Sequence, residues 1–242
     1  MEPPAPTNVI WYSAENDAAL RAENIRTGFD GLHFDLLWKD QRQAITSPMV
    51  GMFNVSNILA AVAVGISYAL PLDLIARGIA ACTAVPGRFD RVYCGQPFLV
   101  VVDYAHTDDA LRNVIATART LANESKGRVI TLFGCGGDRD QGKRPIMGEI
   151  AARLADIVII TDDNPRSEDP ALIRKAILAA TPGASEIGDR ANAIAAAIAL
   201  LQDGDALIIA GKGHETGQII GTRTLPFSDH ETIRALVKEQ AA

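Results

Sequence analysis

Four apolar segments of the chain end abruptly at polar or glycine-rich clusters, and this repeated arrangement limits the possible folds more than any other feature. The segments, with their clusters, are Phe98–His106, Arg128–Arg139, Ile157–Arg166 and Ala206–Glu215. Each apolar part is rich in Val, Ile and Leu without alternating polar residues, which is typical of strands buried on both faces of a sheet. Helical patterns lie between most of the segments, so the sequence predicts an α/β fold with a parallel sheet.

The polar clusters predict a binding site. Neighbouring strands of a parallel sheet have their carboxyl ends at one edge, and ligands bind in the crevice outside that edge. Because all four clusters directly follow the predicted strands, we expect them to lie together around a common crevice.

Capping residues indicate where the intervening helices begin. Thr107 precedes two acidic residues, which suit the positive end of a helix dipole. Pro145 suits a first helical position, and Ser228 with Glu231 forms the pattern of a capping box. Two further helix starts are expected at Asp169-Pro170 and Asp189.

The chain before the repeated unit predicts different structure. Three prolines make residues 1–7 look disordered, and Asn8 to Ser13 is expected to be a short strand. Apolar residues alternate with polar ones over Leu32–Trp38, and a polar turn leads to Ala44–Ile45, which predicts an antiparallel hairpin.

Two helices and a domain boundary are expected next. An apolar, Ala-rich stretch predicts a buried helix over Val55–Leu70, and Pro71 restarts the chain into a second helix that ends at Ala81. Pro86 and Gly87 then interrupt the pattern, which places a boundary near residues 88–94. The predicted domains are residues 1–92 and 93–242.

Composition excludes several classes of protein. The net charge of −6 and the pI near 5.2 disfavour nucleic-acid binding. The three scattered cysteines lack metal-binding spacing and favour a reducing compartment. No apolar run is long enough to span a bilayer, and Met1–Thr7 does not resemble a signal peptide. The sequence therefore predicts a cytoplasmic protein without membrane insertion.

The loop Gly134–Pro145 nearly matches a phosphate-binding P-loop, through Gly137-x-x-x-x-Gly142-Lys143. Arg144 follows where a Ser or Thr hydroxyl is needed for Mg²⁺, and two aspartates in the loop would repel phosphate. We therefore reject a P-loop. A tight turn that requires glycines is one interpretation of the loop, but its many charged residues favour contact with a ligand.

The segment Asp162–Arg166 carries two carboxylates, an amide and a guanidinium at the end of a strand. An Asx-type turn would explain part of it, but not the second carboxylate and the arginine. Arg166 with Arg139 could bind a carboxylate, while Asp163 and Glu215 could hold an ammonium group. This combination predicts a pocket for an amino acid.

Taken together, these strings resemble the C-terminal part of the Mur ligase family, from about Asn8 to Val237. Six motifs occur in the family's order. They are Phe53–Asn57, Pro86–Arg88, Asp103–Thr107, Gly134–Asp140, Asp163–Arg166 and Gly211–Glu215.

The resemblance implies a fold and roles for individual residues. The fold is a Rossmann-like, mostly parallel C-terminal domain that follows the remaining part of a central ATPase α/β domain. The positions that match ATP contacts in the family are Asn54, Asn57, Arg88, Asp103 and His106. The positions that match contacts to the incoming amino acid are Arg139, Asp163, Asn164, Arg166, Gly211 and Glu215.

The resemblance also implies an activity. Asp163-Asn-Pro-Arg166 looks like the diaminopimelate-adding type, which joins meso-diaminopimelate to UDP-N-acetylmuramoyl-L-Ala-D-Glu in peptidoglycan synthesis. In the family, ATP with Mg²⁺ converts the carboxylate into an acyl phosphate, which the amino group then attacks. The family's Gly-Lys-Thr phosphate loop and UDP-sugar domain are not among these residues, so we expect this polypeptide alone to be inactive.

Two other classes stay open at this point. A non-catalytic module that binds an amino acid or a nucleotide would also explain the polar clusters. A dinucleotide-dependent oxidoreductase is a weaker alternative, because no Gly-x-Gly-x-x-Gly follows the first strand of the repeated unit with an acidic residue about 20 positions later.

Overall fold

A computed structural model describes residues 9–82 and 85–240. The predicted disorder of residues 1–7 and the Asn8 end of the first predicted strand lie outside these ranges. The chain forms two compact units, Met1–Thr83 and Ala84–Ala242. The sequence placed the boundary after residue 92, but Asp90–Arg91 forms a strand that pairs with Val101–Val102, so these residues pack with the second unit.

The first unit is a four-stranded sheet followed by two helices. Its strands, in sheet order, are β1 (Tyr12–Ser13), β2 (Leu20–Gly28), β3 (Gly31–Trp38) and β4 (Gln41–Ser47), and its helices are α1 (Phe53–Ser67) and α2 (Leu72–Ala81). The β3–β4 pair is antiparallel, as the alternating pattern predicted. Apolar residues of the sheet and of both helices form one core.

Strand β2 was missed by the sequence analysis. Its pairing with β3 shifts register between Glu23 and Arg26, and Asn24 has a φ of 53°. A bulge of this kind inserts an extra residue and breaks the two-residue alternation by which a strand is recognised.

The second unit is built on a six-stranded sheet. Its strands are β5 (Asp90–Arg91), β6 (Leu99–Asp103), β7 (Val129–Phe133), β8 (Ile157–Ile160), β9 (Ser185–Glu186) and β10 (Ala206–Ala210), in the spatial order β5-β6-β10-β7-β8-β9. All neighbours are parallel except β5 and β6. The predicted parallel sheet is therefore confirmed, and the four polar clusters follow adjacent strands β6, β10, β7 and β8.

Five helices accompany this sheet in the described part of the chain: α3 (Asp108–Ser125), α4 (Lys143–Leu154), α5 (Pro170–Leu178), α6 (Arg190–Ala199) and α7 (Asp229–Gln240). Three predicted caps are confirmed, since Thr107, Asp169 and Asp189 accept backbone N–H bonds from the first turns of α3, α5 and α6. Helix α4 begins at Lys143 instead of Pro145, because the turn already starts with the bond from the Arg144 N–H to the Gln141 carbonyl.

A short antiparallel hairpin, β11 (Gly217–Ile220) and β12 (Arg223–Pro226), was not predicted. Its strands contain four residues each, and β12 is exposed throughout, so the hairpin lacks an apolar pattern. Within residues 9–82 and 85–240, none of the helices combines the length and apolar character needed to cross a membrane.

Candidate functional site

A polar cavity of about 190 Å³ opens at the carboxyl edge of the six-stranded sheet. All four strand-end clusters contribute to it. The residues that line it are Tyr104, His106, Gly134, Cys135, Gly136, Arg139, Lys143, Asp163, Asn164, Arg166, Gly211 and Glu215. The predicted convergence of distant segments at one edge is therefore present.

Two glycines allow the strand ends to approach this closely. Gly211 has a φ of 114°, and a Cβ atom there would overlap Oδ2 of Asp163. A Cβ atom at Gly134 would overlap the carbonyl oxygen of Thr161. Larger residues would force the ends of β7, β8 and β10 apart, so these positions require glycine.

One side of the cavity carries two arginines. Nη1 of Arg139 donates to the Asp138 carbonyl at 2.9 Å, and Nη1 of Arg166 donates to the carbonyls of Gly137 and Asn164 at 2.9 and 3.4 Å. Neither guanidinium forms an ion pair with any residue in the described ranges. Because a guanidinium offers five N–H donors, both retain donors for an anionic ligand.

The other side carries a network of charged and amide groups around Asn164. The Asn164 Nδ2 donates to Oε2 of Glu215 at 2.8 Å, while its Oδ1 accepts from Nζ of Lys212 at 3.0 Å and from the Ile219 N–H at 2.9 Å. Lys212 is fully buried and also donates to Oε2 of Glu215 at 2.9 Å. Within the described chain, Oε1 of Glu215 accepts no hydrogen bond, so it is available to a ligand's ammonium group.

The two carboxylates on this side differ in their electrostatics. Burial raises the pKa of Asp163, although Arg190, Lys212 and the Asn164 N–H partly offset the effect. For Glu215, burial also favours a higher pKa, but bonds from Asn164 and Lys212 outweigh it and hold the pKa below its usual value. Glu215 is therefore the more firmly ionised of the two.

The loop after β6 forms the third side. Asp103 is a loop anchor, since its carboxylate accepts from the N–H groups of Phe89 and Ala105 at 2.6 and 2.7 Å. Nδ1 of His106 lies 2.8 Å from the Tyr104 carbonyl. A carbonyl only accepts, so Nδ1 is the donor in this contact.

The predicted site residues are distributed over both units, and most of those in the second unit line the cavity. The six residues predicted to bind the amino acid all line the cavity, and so does His106. Arg88 lies nearby in the second unit, with its guanidinium carbon 5.5 Å from the centre of the Tyr104 ring. Asn54 and Asn57 lie on α1 of the first unit, where Nδ2 of Asn57 donates to Oδ1 of Asn54 at 3.0 Å.

Lys143 and Cys135 are cavity residues that the sequence analysis did not select. Nζ of Lys143 donates to the His106 carbonyl at 2.6 Å and so joins the loops after β6 and β7. The charge of Lys143 in a glycine-rich loop was a usable signal, but it was set aside with the rejected P-loop. Burial raises the pKa of Cys135 to about 12, so this thiol stays protonated at neutral pH.

The fold and the cavity define a class of protein, an open and mostly parallel α/β domain with a polar pocket at the carboxyl edge of its sheet. A family model described as "Mur ligase, glutamate ligase domain" matches residues 87–213, and one described as "Mur ligase middle domain" matches residues 2–65. The chain belongs to the Mur ligase family.

Curated relatives and a solved structure agree with this assignment. The UDP-N-acetylmuramoyl-L-alanyl-D-glutamate–2,6-diaminopimelate ligase of Solibacter usitatus is 53% identical over 238 residues, which are 97% of this chain and 48% of that protein. The ligase of the same name from Mesorhizobium japonicum is 55% identical over 82% of this chain and 40% of its own length. A solved structure of a ligase with this name superposes with a TM-score of 0.76 at 34% identity, over 99% of this chain and 49% of its own. The chain thus spans about half the length of the relatives it matches.

Proposed function

We propose that this chain is the amino-acid-binding part of a ligase that adds meso-diaminopimelate to UDP-N-acetylmuramoyl-L-Ala-D-Glu in peptidoglycan synthesis. The names of the similar ligases support the reaction, and the cavity of the second unit supports the role of this chain. Residues Arg139, Asp163, Asn164, Arg166, Gly211 and Glu215 are the proposed contacts to the amino acid.

The observation that carries this proposal is the charge arrangement in the cavity. On one side lie two guanidinium groups that form no ion pair with a carboxylate of residues 9–82 or 85–240, and the ionised Glu215 lies on the other side. A zwitterionic amino acid with a second carboxylate matches both sides. Lysine lacks that carboxylate and would leave a guanidinium partly desolvated and unpaired. A site of this kind therefore rejects lysine strongly.

Mur ligases depend on ATP, and the proposed nucleotide contacts of this chain are Asn54, Asn57, Arg88, Asp103 and His106. Arg88 forms no ion pair with another described residue, so its guanidinium suits a phosphate. Each oxygen of Asp103 accepts one backbone bond and keeps a lone pair for a hydroxyl. ATP would supply the phosphoryl group that activates the substrate carboxylate.

Mg²⁺ is the second proposed cofactor. Among residues 9–82 and 85–240, no three His, Cys, Asp or Glu side chains are close enough to hold a metal ion.

Calorimetry on the purified chain tests the proposed amino-acid site. We expect meso-diaminopimelate to bind and L-lysine to bind much more weakly. Arg166→Lys loses the planar donor pair, worth about 1.5–3 kcal/mol for hydrogen bonds to a charged group, so diaminopimelate affinity should fall about 10- to 100-fold.

The matched control is Arg223→Lys, on the exposed strand β12, which should bind like the unchanged chain. Equal affinity for diaminopimelate and lysine, or an Arg166→Lys variant that keeps both affinity and selectivity, would contradict the proposed specificity.

A further inference from the structure

The loops that carry Arg139 and Arg166 are tied to each other by three residues that do not line the cavity. The carboxylate of Asp138 accepts from the Ser167 N–H at 3.1 Å and from the Ser167 hydroxyl at 2.7 Å. In return, Oε1 of Glu168 accepts from the Asp138 N–H at 2.6 Å. Asp138, Ser167 and Glu168 are called the clasp below.

A buried arginine anchors the clasp to α4. Nη2 of Arg144 donates to Oε1 of Glu168 at 2.8 Å, and the side chain of Arg144 is only 4% exposed. The bond from Arg144 is the main reason why the pKa of Glu168 lies below its usual value, and the bond from the Asp138 N–H adds to it. The Glu168 carboxylate is thus a fixed, ionised acceptor and not a freely moving surface group.

The clasp lies next to both cavity arginines in the sequence. Asp138 immediately precedes Arg139, and Ser167 immediately follows Arg166. Asp138 and Arg166 each have a φ of 53°, a left-handed conformation that non-glycine residues rarely adopt and that surrounding bonds must hold. Arg166 is also held by the hairpin, because its N–H donates to the Ile219 carbonyl and its carbonyl accepts from the Gly221 N–H.

We propose that the clasp sets the separation of the Arg139 and Arg166 guanidinium groups, so that both can bond to the same ligand carboxylate. Its residues are positioning residues, since they act on the ligand only through the two arginines. This inference rests on the proposed amino-acid site and names the side chains that determine its specificity for a second carboxylate.

Removing the charge of Asp138 should change the affinity for the ligand in opposite directions, depending on whether Asp138 acts by positioning the arginines or only through its charge. Asp138 is a negative charge close enough to Arg139 and Arg166 for both to lower its pKa, after the larger contribution of its bonds to Ser167. Removing that charge would by itself make the arginines attract an anionic ligand more strongly. Loss of positioning has the opposite effect, because misplaced donors bond poorly to the carboxylate.

Asp138→Asn is the test variant, because Asn tolerates a left-handed φ and preserves volume but replaces one accepting oxygen by a donor. The matched control is Asp140→Asn in the same loop, whose carboxylate accepts only from the nearby Gly142 N–H within the described chain. By calorimetry, Asp138→Asn should bind meso-diaminopimelate about tenfold more weakly, the lower end of what lost support of ligating residues costs. Asp140→Asn should not weaken binding. Tighter or unchanged binding by Asp138→Asn overturns the proposal.

A second measurement needs no ligand. Hydrogen exchange of the backbone amides of residues 137–140 and 166–168 should accelerate in Asp138→Asn and in Glu168→Gln, and should stay unchanged in Asp140→Asn. If the unchanged chain fails to bind diaminopimelate, the proposed function is wrong, and the exchange result alone judges the clasp. Unaltered exchange in both clasp variants shows that these residues do not hold the two loops, and the inference fails.

Discussion

The six-stranded sheet carries arginines at its amino and carboxyl edges, and two arginines at the amino edge differ in their pairing from the two that line the cavity. At the amino edge, Nη2 of Arg128 donates to Asp205 at 2.6 Å and Nη2 of Arg119 donates to Asp156 at 2.7 Å. At the carboxyl edge, Arg139 and Arg166 donate only to backbone carbonyls within the described residues.

The acids at the amino edge also serve the backbone. Asp205 accepts from the N–H groups of Arg128 and Gln202, and Asp156 accepts from the N–H of Val129. These carboxylates therefore fix the starts of strands, and their negative charges compensate those of the arginines that they contact. The comparison indicates that paired arginines stabilise this sheet and that unpaired ones are available for binding.

Arg190 is the strongest test of that distinction, because it lies beneath the carboxyl edge and is nevertheless paired. It forms a two-bond ion pair with Asp229, at 2.7 and 2.8 Å, and also donates to the Ala210 carbonyl at 3.1 Å. Both side chains are fully buried. Arg190→Met should lower the free energy of unfolding by about 3–5 kcal/mol, because it leaves Asp229 buried without a partner. Urea denaturation followed by circular dichroism measures this loss.

The control for that variant is the double substitution Arg190→Met with Asp229→Leu, which should recover much of the stability. Arg166→Lys, by contrast, should shift the free energy of unfolding by no more than about 0.5 kcal/mol, as is usual away from buried contacts. If Arg166→Lys destabilised the chain as much as Arg190→Met, pairing would not be what separates the two kinds of arginine.

Asp205→Asn is expected to have the next largest effect. It removes the charge that Arg128 contacts through Nε and Nη2, which should cost about 2 kcal/mol, within the range for hydrogen bonds to charged groups. Burial of Asp205 acts to raise its pKa, but bonds from Arg128 and Gln202 outweigh it and leave the pKa low. Because the pKa of Asp205 is lower in the folded chain than in the unfolded chain, ionised Asp205 stabilises the fold at pH values above the ordinary pKa of Asp. This stabilisation is lost as the pH falls through the pKa of Asp205 in the folded chain.

The difference in the free energy of unfolding between Asp205→Asn and the unchanged chain should therefore shrink as the pH falls. Binding of diaminopimelate at neutral pH should stay intact in this variant. A difference that is independent of pH would show that the charge of Asp205 is not what stabilises the amino edge.

The parts of the fold that the sequence predicted have strong local signals. Unbroken apolar runs identified β6, β7, β8 and β10, and side-chain caps identified helices such as α3. The parts that were missed lack such signals. Strand β2 contains a bulge, and the β11–β12 hairpin is too short and exposed to show an apolar pattern.

The candidate site was likewise predictable only where the sequence carries a clear signal. Strand ends at a shared edge predict that Arg139, Arg166 and Glu215 converge, because topology alone brings them together. Pairing within the site was not predictable, since it depends on side-chain geometry across loops. Lys212, for example, lies in the glycine-rich motif Gly211–Glu215, but its side chain is fully buried against Asn164 and Glu215.

Asp163 provides the smallest expected effect on stability and the sharpest contrast with Asp205. Its pKa is raised, chiefly by burial, so the native state binds this proton more tightly than the unfolded chain and ionised Asp163 opposes folding. Its stabilising contribution is greatest at low pH and is lost as the pH rises through the native pKa. Asp163→Asn should therefore be at least as stable as the unchanged chain at neutral pH, and the difference should close as the pH falls below about 3.9, the ordinary pKa of Asp. Denaturation curves at a series of pH values measure this slope, which is opposite in sign to that of Asp205→Asn. If Asp163→Asn were less stable than the unchanged chain at neutral pH, the Asp163 carboxylate would stabilise the fold, as the carboxylates of the amino edge do.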